Sequence, residues 1–205
     1  MSFKSSILSS IYGHGRGWAF SAKDFYANNT RNNADVALFN LEKEGKIRKL
    51  MRGIYDYPMY SNILKKEIAP DLIKTANAIA RKFSWTIMPS GNLALNLLGL
   101  STQIEGKYTF ISNGKSKKYE IDGNVIEFKA SPLKDFAFKH KETALIVQAI
   151  KATSKAQISE DFLKSLASKF NLEQWHKFKR DAKNSTAWIF DTISKTTSLK
   201  EEENG

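Results

Sequence analysis

The sequence predicts an α+β fold in two domains, and two patterns in the chain indicate it. Residues 18–58 contain, in order, a helix, a turn, a second helix and a short basic hairpin. From about residue 67, helical periodicity alternates with short apolar strands separated by turn residues. We therefore expect a winged helix-turn-helix domain over residues 1–60 and a mixed α/β domain over residues 67–195, with a small antiparallel sheet and C-terminal helices. The stretch from Lys200 to Gly205 is charged, and we expect a disordered tail over residues 196–205.

Periodicity and capping predict the start of the first domain. An apolar stripe over residues 3–11 predicts the first helix. Ser21 and Asp24 have the spacing of a capping box, in which the serine hydroxyl accepts a backbone amide and the acid reaches back. Asn28 and Asn29 supply turn chemistry, because both tolerate left-handed backbone. A second helix should therefore begin at Ser21 and end at this turn.

The third helix is predicted to have one buried and one exposed face. Ala34, Ala37, Leu38 and Leu41 recur at i, i+3, i+4 and i+7, so they share the buried face. On the opposite face we expect Asn32, Val36, Phe39, Asn40 and Lys43, with Arg31 and Asn33 at its N-terminal end. Phe39 is unusual there, and we expect it to pack under the hairpin or against the rest of the chain.

A basic hairpin follows the third helix. The runs 47–50 and 54–57 flank Met51-Arg52-Gly53, whose glycine suits a tight turn. Four cations lie on or beside this hairpin: Lys46, Arg48, Lys49 and Arg52.

Together, these elements predict binding to double-stranded DNA. A helix fits the major groove, where asparagine pairs with adenine, Arg or Lys suits guanine, and a small apolar group such as Val36 meets the thymine methyl. The hairpin cations would contact phosphates and give salt-dependent affinity with little sequence choice. Small winged domains also serve as protein-interaction modules, and the pattern alone leaves that alternative open.

Composition limits the function classes. The formal net charge of +11 and the pI near 9.6 favour a polyanionic partner. Lys and Arg outnumber Asp and Glu by 9 to 5 over residues 1–57 and by 23 to 16 in the remainder. The chain has no cysteine, which excludes disulfides and thiolate metal sites, and its three histidines are scattered. No signal-peptide core or membrane-spanning run is visible, so we expect a cytoplasmic protein. We expect no cofactor.

The second domain is predicted to mix helices and strands. Residues 58–66 have the composition of a linker, and a helix should begin near Pro70. A strand over 85–88 and a leucine-rich helix after Ser90-Gly91-Asn92 follow. We expect meander strands over 108–111, 118–121 and 125–129, and helices over 144–152, 159–170 and 172 to about 193.

No catalytic constellation favours an enzyme. Gly114-Lys115-Ser116 resembles the end of a phosphate-binding loop, but that motif needs a glycine where Thr109 stands. Glu120 and Asp122 could present two carboxylates to a metal from one side of a strand, although Asp122 also suits a hairpin turn.

Two basic stretches lie outside the first domain. The first comprises Lys115, Lys117 and Lys118. Three interpretations of it stay open: a solvated loop, an extension of the DNA footprint, or a docking site for an acidic partner. In the stretch from Trp175 to Arg180, helical packing of the aromatic residues explains the pattern without a ligand.

Four blocks of sequence carry a resemblance to a known family. In chain order they are GRGWAFSAKDF, LEKEGKIRKLMRGIYDYP, AIARKFSWTIMPSGNLALNLLGLSTQ and FKHKETALIVQAIKA, within about residues 1–155. These blocks resemble the antitoxins of type IV toxin-antitoxin systems, the AbiEi-like group associated with bacterial abortive infection and phage defence. The resemblance fades beyond Ser159.

The resemblance implies a DNA-binding antitoxin and transcriptional autorepressor. It implies that the winged domain binds inverted repeats in its own promoter, and that the α+β domain neutralises a nucleotidyltransferase-like toxin without requiring a stable complex. The helix from Arg31 to Lys43 and the tip at Arg52 match the DNA-reading elements. The block Pro89-Ser90-Gly91, with Asn92 and Asn96, matches a family signature, and a helix N-terminus there would suit an anion. The candidate antitoxin or anion site comprises Ser90, Gly91, Asn92, Lys115, Lys117 and Lys118.

Two other functions stay open at the level of sequence. The chain could be a winged-helix transcription factor whose C-terminal domain senses a ligand, which a neighbouring gene encoding no nucleotidyltransferase would favour. It could also be a nucleotidyl-transfer enzyme, for which metal-dependent activity lost in Asp122→Asn would be required.

Overall fold

The computed structural model describes residues 2–28, 31–103 and 106–203. Over these residues the chain is α+β, as predicted. The α-helices are α1 (Phe3–His14), α2 (Arg31–Lys43), α3 (Leu72–Phe83), α4 (Asn92–Leu97), α5 (Lys141–Thr153), α6 (Glu160–Ala167), α7 (Leu172–Asp181) and α8 (Ala187–Glu202). The strands are β1 (Ala19–Phe20), β2 (Arg48–Met51), β3 (Ile54–Asp56), β4 (Tyr60–Ser61), β5 (Lys66–Glu67), β6 (Ile87–Pro89), β7 (Lys107–Ser112), β8 (Lys117–Ile121) and β9 (Asn124–Ala130).

The chain divides into two compact units. Unit 1 comprises residues 1–87 and 118–126, and unit 2 comprises residues 88–117 and 127–205. The strands form three sheets, in the orders β1-β3-β2, β4-β5 and β6-β7-β9-β8.

Unit 1 has a core built from α1, α2 and the first sheet. The face of α2 that was predicted to be buried is confirmed. Its residues Ala34, Ala37, Leu38 and Leu41 share one core cluster with α1 and β1 residues, including Ile11 of α1. Strand β3 lies at the centre of its sheet and pairs antiparallel with both neighbours.

The segment after β1 differs in detail from the predicted capped helix. Residues Ala22–Asn28 form a 3-10 helix. The Asp24 carboxylate accepts hydrogen bonds from the Ser21 amide at 2.8 Å and from the Ser21 hydroxyl at 3.2 Å. The acid therefore reaches back as predicted, whereas the hydroxyl donates to Asp24. Of the turn residues that precede α2, Asn29 lies outside the described residues.

Helix α3 belongs to unit 1, although the sequence places it in the second domain. Asp71 caps its N-terminus by accepting the amides of Ile73 and Lys74. Near its C-terminus, the Arg81 guanidinium donates to the Asp24 carboxylate at 2.6 Å and to the Ala19 carbonyl at 2.8 Å. These polar contacts fix α3 against β1 and the 3-10 helix.

The predicted linker over residues 58–66 forms part of a hairpin. Tyr60 of β4 pairs with Glu67 of β5, and Ser61 pairs with Lys66. Arginines hold both ends of this hairpin. Arg16 donates to the Pro58 carbonyl at 2.9 Å, and Arg48 donates to the Ile68 carbonyl at 3.0 Å.

Unit 2 has a helical core centred on Trp175, which is fully buried and whose indole N–H donates to the Ala167 carbonyl at 3.1 Å. The meander strands predicted from turn residues are confirmed as β7, β8 and β9. The helix predicted from residue 172 to about 193 is divided in two, because α7 ends at Asp181 and α8 begins at Ala187.

The predicted disordered tail is wrong for residues 196–202. Helix α8 extends through Glu202, and Thr196 and Thr197 are buried. Their hydroxyls donate to the carbonyls four residues earlier, so these polar side chains are satisfied inside the helix.

Candidate nucleic-acid interface

The outer face of α2 is exposed, as its periodicity predicts. Val36 is 59% exposed, and Asn33, Asn40 and Lys43 are also exposed. The predicted side chains of Arg31 and Asn32 lie outside the described residues. The described part of this face presents an apolar group and amides within reach of a molecule lying along the helix.

Phe39 stays on this exposed face and is 48% exposed. The expectation that it packs under the hairpin is wrong. The Lys43 ammonium instead lies 4.5 Å from the centre of the Phe39 ring, a cation–π contact one helical turn along α2. This contact holds the lysine over the aromatic ring.

Exposed cations lie on the β2-β3 hairpin and in the turn just before it. Lys49 and Arg52 are exposed on the hairpin, and Lys46 is exposed in the turn between α2 and β2. The tip turns at Gly53, whose φ of +72° is a left-handed conformation that disfavours other residues. The Lys82 ammonium of α3 donates to the Arg52 carbonyl at 2.9 Å, so α3 supports the tip of the hairpin.

Arg48 does not join this exposed set. Its guanidinium donates to both carboxylate oxygens of Asp56, at 3.0 and 2.7 Å, and the Asp56 side chain is only 3% exposed. The hydrogen bond to Asp56 raises the pKa of Arg48. The guanidinium also donates to the Ile68 carbonyl. The sequence predicts a phosphate contact for Arg48, whereas these hydrogen bonds give it a structural role across the β2-β3 pair.

A groove of about 610 Å³ lies between the hairpin, the 3-10 helix and the end of α3. Its lining includes four cations, which are Lys23, Lys49, Arg52 and Lys82, and a single acid, Asp35. Tyr55 also lines it. Burial raises the pKa of Tyr55, and the charges of Glu42 and Asp35 raise it further, so the phenol stays protonated.

Two residues of this basic groove were not predicted from the sequence: Lys23 and Lys82. Lys23 donates to the Ser84 hydroxyl, a contact between residues 61 positions apart. Lys82 and Arg52 are 30 positions apart. No local pattern indicates such contacts, and only the basic end of α3 hints that Lys82 is near a surface.

The Ser90-Gly91-Asn92 block has a structural role in the fold. Ser90 is buried, and its backbone N–H donates to the Thr109 carbonyl at 3.0 Å. Gly91 takes a φ of +61° at the N-terminus of α4, which has only six residues. A buried serine before so short a helix offers little to an anion, so the geometry does not support the expected anion site.

The remaining candidates are surface residues. Lys115, Lys117 and Lys118 are exposed. Asp122 has a φ of +51° and occupies the β8-β9 turn with Gly123, whose φ is +74°. This position fits the local turn role of Asp122. Over the described residues, no group of three or more His, Cys, Asp or Glu side chains is placed to hold a metal ion.

The fold and these surfaces define a basic α+β protein. Among the described residues, no helix is both long and apolar enough to span a bilayer. A family model, the Family of unknown function (DUF6088), matches residues 6–176, and the chain therefore belongs to that family. A comparison with curated proteins finds no match.

Proposed function

We propose that this chain binds double-stranded DNA through a winged helix-turn-helix in unit 1. The observation that carries the proposal is the arrangement of its elements: α1, β1, the 3-10 helix, α2 and the β2-β3 hairpin follow in that order, with a sheet order of β1-β3-β2. In this arrangement α2 is the recognition helix and the β2-β3 hairpin is the wing.

The chemistry of α2 suits the major groove. Asn40 can donate to and accept from the adenine edge, and Val36 can contact a thymine methyl group. Neither residue is needed by the buried core, because both lie opposite Leu38 and Leu41. We assign sequence reading to this face.

The cations of the wing suit the DNA backbone. Lys46, Lys49 and Arg52 are exposed beside α2, and the basic groove adds Lys23 and Lys82. Phosphate contacts of this kind give affinity that falls with salt and does not depend on base sequence.

The wider proposal is a cytoplasmic antitoxin and autorepressor of a type IV toxin-antitoxin operon. The resemblance of the four sequence blocks supports it, and a DNA-binding module is what an autorepressor requires. In this proposal, unit 1 represses the promoter through inverted repeats, and the part of the chain that follows supplies neutralisation of a nucleotidyltransferase-like toxin.

The test of DNA binding is fluorescence anisotropy with the region upstream of the gene and with a shuffled duplex. Asn40→Ala with Arg52→Ala should weaken binding to the upstream duplex by tenfold or more, since one lost base contact is worth about 1–3 kcal/mol. The matched control is Asn62→Ala with Lys66→Ala, which likewise removes one asparagine and one cation, from the exposed β4-β5 hairpin. Equal affinities for the two double variants would refute the DNA-reading face.

The antitoxin role has a separate test. The chain is co-expressed with the product of the adjacent gene, and growth is recorded. We expect rescue by the wild-type chain and by the Asn40→Ala, Arg52→Ala variant, because repression and neutralisation belong to different parts of the molecule. A toxic neighbour that the chain does not rescue would contradict the antitoxin role while leaving DNA binding intact.

A further inference from the structure

A second basic groove lies within unit 2. It has a volume of about 480 Å³ and is formed by the segment before α5, the end of α7 and the 3-10 helix Ala182–Asn184. Five of its lining residues are basic, and one is acidic. The basic residues are Lys139, His140, Lys177, Arg180 and Lys183, and the acid is Asp181.

Helix periodicity explains why these cations point outward. Trp175 and Phe178 of α7 are buried in the unit 2 core, whereas Lys177 and Arg180, three residues apart, lie on the exposed side. The aromatic residues in this stretch are therefore structural, as the sequence predicts. The cations between them are not needed by the core.

The acid in the groove is already engaged. Its carboxylate accepts the backbone amides of Lys139 and His140, both at 3.0 Å, and so occupies the N-terminus of α5. Lys177 pairs with Glu173 at 2.8 Å. Over the part of the chain that the structure describes, Lys139, Arg180 and Lys183 have no ion-pair partner. The groove thus holds a concentration of positive charge that its own residues do not neutralise.

The lining indicates which polyanion fits. Protein interfaces have a desolvated apolar or aromatic centre, but Ala137 is the one apolar residue that lines this groove. Single-stranded nucleic acid is held by bases stacked on aromatic platforms, and the described lining has no Phe, Tyr or Trp. Cations without apolar neighbours suit phosphate groups that stay partly hydrated.

We propose that this groove is a second nucleic-acid site, which contacts the phosphodiester backbone of a duplex independently of base sequence. Arg180 and Lys183 carry the central contacts, with Lys139 at the opposite wall. The site goes beyond the proposed reading by α2, because it requires no base recognition and lies in unit 2.

The test measures binding of the full chain to a random-sequence duplex over a salt series. In Arg180→Glu with Lys183→Glu, we expect the dissociation constant to rise about tenfold and the slope of log K against log salt to flatten by about two, as for two lost phosphate contacts. The matched control is Lys155→Glu with Lys195→Glu, which makes the same charge change at exposed residues outside the lining.

Asn184→Lys is the opposite variant, because it adds a cation to the lining. It should tighten binding to the random duplex, a gain that misfolding cannot produce. Circular dichroism and thermal melting check that all variants fold.

Equal binding by the groove and control double variants, or no gain with Asn184→Lys, would overturn the proposal. A groove variant that loses binding to an acidic peptide but not to the duplex would also overturn it. If α2 does not read DNA, Asn40→Ala with Arg52→Ala will leave upstream binding unchanged, while the groove variants still alter random-duplex binding.

Discussion

Arg48 shows how a single residue can satisfy a sequence pattern and yet serve another purpose. Its place in a basic hairpin predicts a phosphate contact, but its guanidinium is held by Asp56 on the paired strand. The two residues are directly opposite in the β2-β3 register. The predicted runs 47–50 and 54–57 already place residues 48 and 56 opposite each other, but the sequence does not reveal that the Arg48 side chain turns to Asp56 rather than to solvent.

Replacing Arg48 tests this role. Arg48→Met should lower the free energy of unfolding by about 2–4 kcal/mol, because it leaves the buried Asp56 carboxylate without its partner. Urea denaturation measures the change. Lys49→Met is the matched control one residue along the strand and should stay within about 0.5 kcal/mol of wild type, while weakening DNA binding. If the Arg48→Met chain is as stable as wild type but loses DNA affinity, the structural role is contradicted and Arg48 belongs to the DNA-binding surface.

Asp181 makes a residue-scale prediction that depends on pH. Partial burial alone would raise the pKa of Asp181, but hydrogen bonds from the Lys139 and His140 amides lower it overall. A lowered folded pKa means that the carboxylate stabilises the fold above about pH 4, and that this contribution is lost as pH falls through the folded pKa.

Removing the carboxylate should therefore matter most at neutral pH. Asp181→Ala should cost about 1 kcal/mol at pH 7, as for loss of a helix cap, and the difference from wild type should shrink below about pH 4. Urea unfolding at several pH values measures it. Asp191→Ala, at an exposed position in α8, should change stability little at any of these values. A cost for Asp181→Ala that grows toward acid would contradict the stabilising role of the charged form.

At the scale of elements, local patterns predicted most of the helices and strands, and long-range contacts were missed. The periodicity of Ala34, Ala37, Leu38 and Leu41 located α2 and its buried face. Turn residues located the strands of the meander. The junction between α7 and α8 was missed because apolar periodicity continues across it, although Ser185 and Thr186 are residues that favour helix starts.

Among the elements, the position of α3 differs most from what the sequence predicts. Arg81 and Asp24 meet across 57 positions of sequence, and Lys82 reaches the carbonyl of Arg52. These contacts are charged and polar, so the apolar pattern that predicts the helix carries no information about where it packs. The tip of the β2-β3 hairpin and α3 consequently depend on each other.

A pair of glycines tests this dependence. An alanine Cβ at Gly53 would lie 2.6 Å from the Lys82 ammonium, whereas Gly45, with a φ of +65°, has open space. Both Gly53→Ala and Gly45→Ala should cost about 1–2 kcal/mol for left-handed backbone, measured by urea unfolding. Gly53→Ala should also displace Lys82 from the wing tip and lose more DNA affinity than Gly45→Ala. In a Lys82→Met background that extra loss should vanish, and its persistence would show that α3 does not support the wing.

At the scale of the whole molecule, positive charge is shared between the two parts of the chain. The excess of Lys and Arg over Asp and Glu is 9 against 5 in residues 1–57 and 23 against 16 in the remainder. Composition therefore predicts a polyanionic partner, but it does not indicate which cations are available to bind one. The structure shows that Arg48 is engaged by Asp56, whereas Lys49, Arg52, Arg180 and Lys183 line the two grooves.

If both grooves contact one duplex, their contributions to the salt dependence should add. Charge removal at Lys49 and Arg52 should flatten the slope of log K against log salt by about two, and charge removal at Arg180 and Lys183 by a further two, at about 0.9 per phosphate. Sites that share no partners are expected to be additive. The measurement is anisotropy on a duplex of about 40 base pairs, three helical turns and more, so that length does not limit contact. A quadruple variant whose slope of log K against log salt is no flatter than that of either double variant would show that the two grooves do not engage the same duplex. A surface that contributes to the bound state must change the counterion release when its charge is removed.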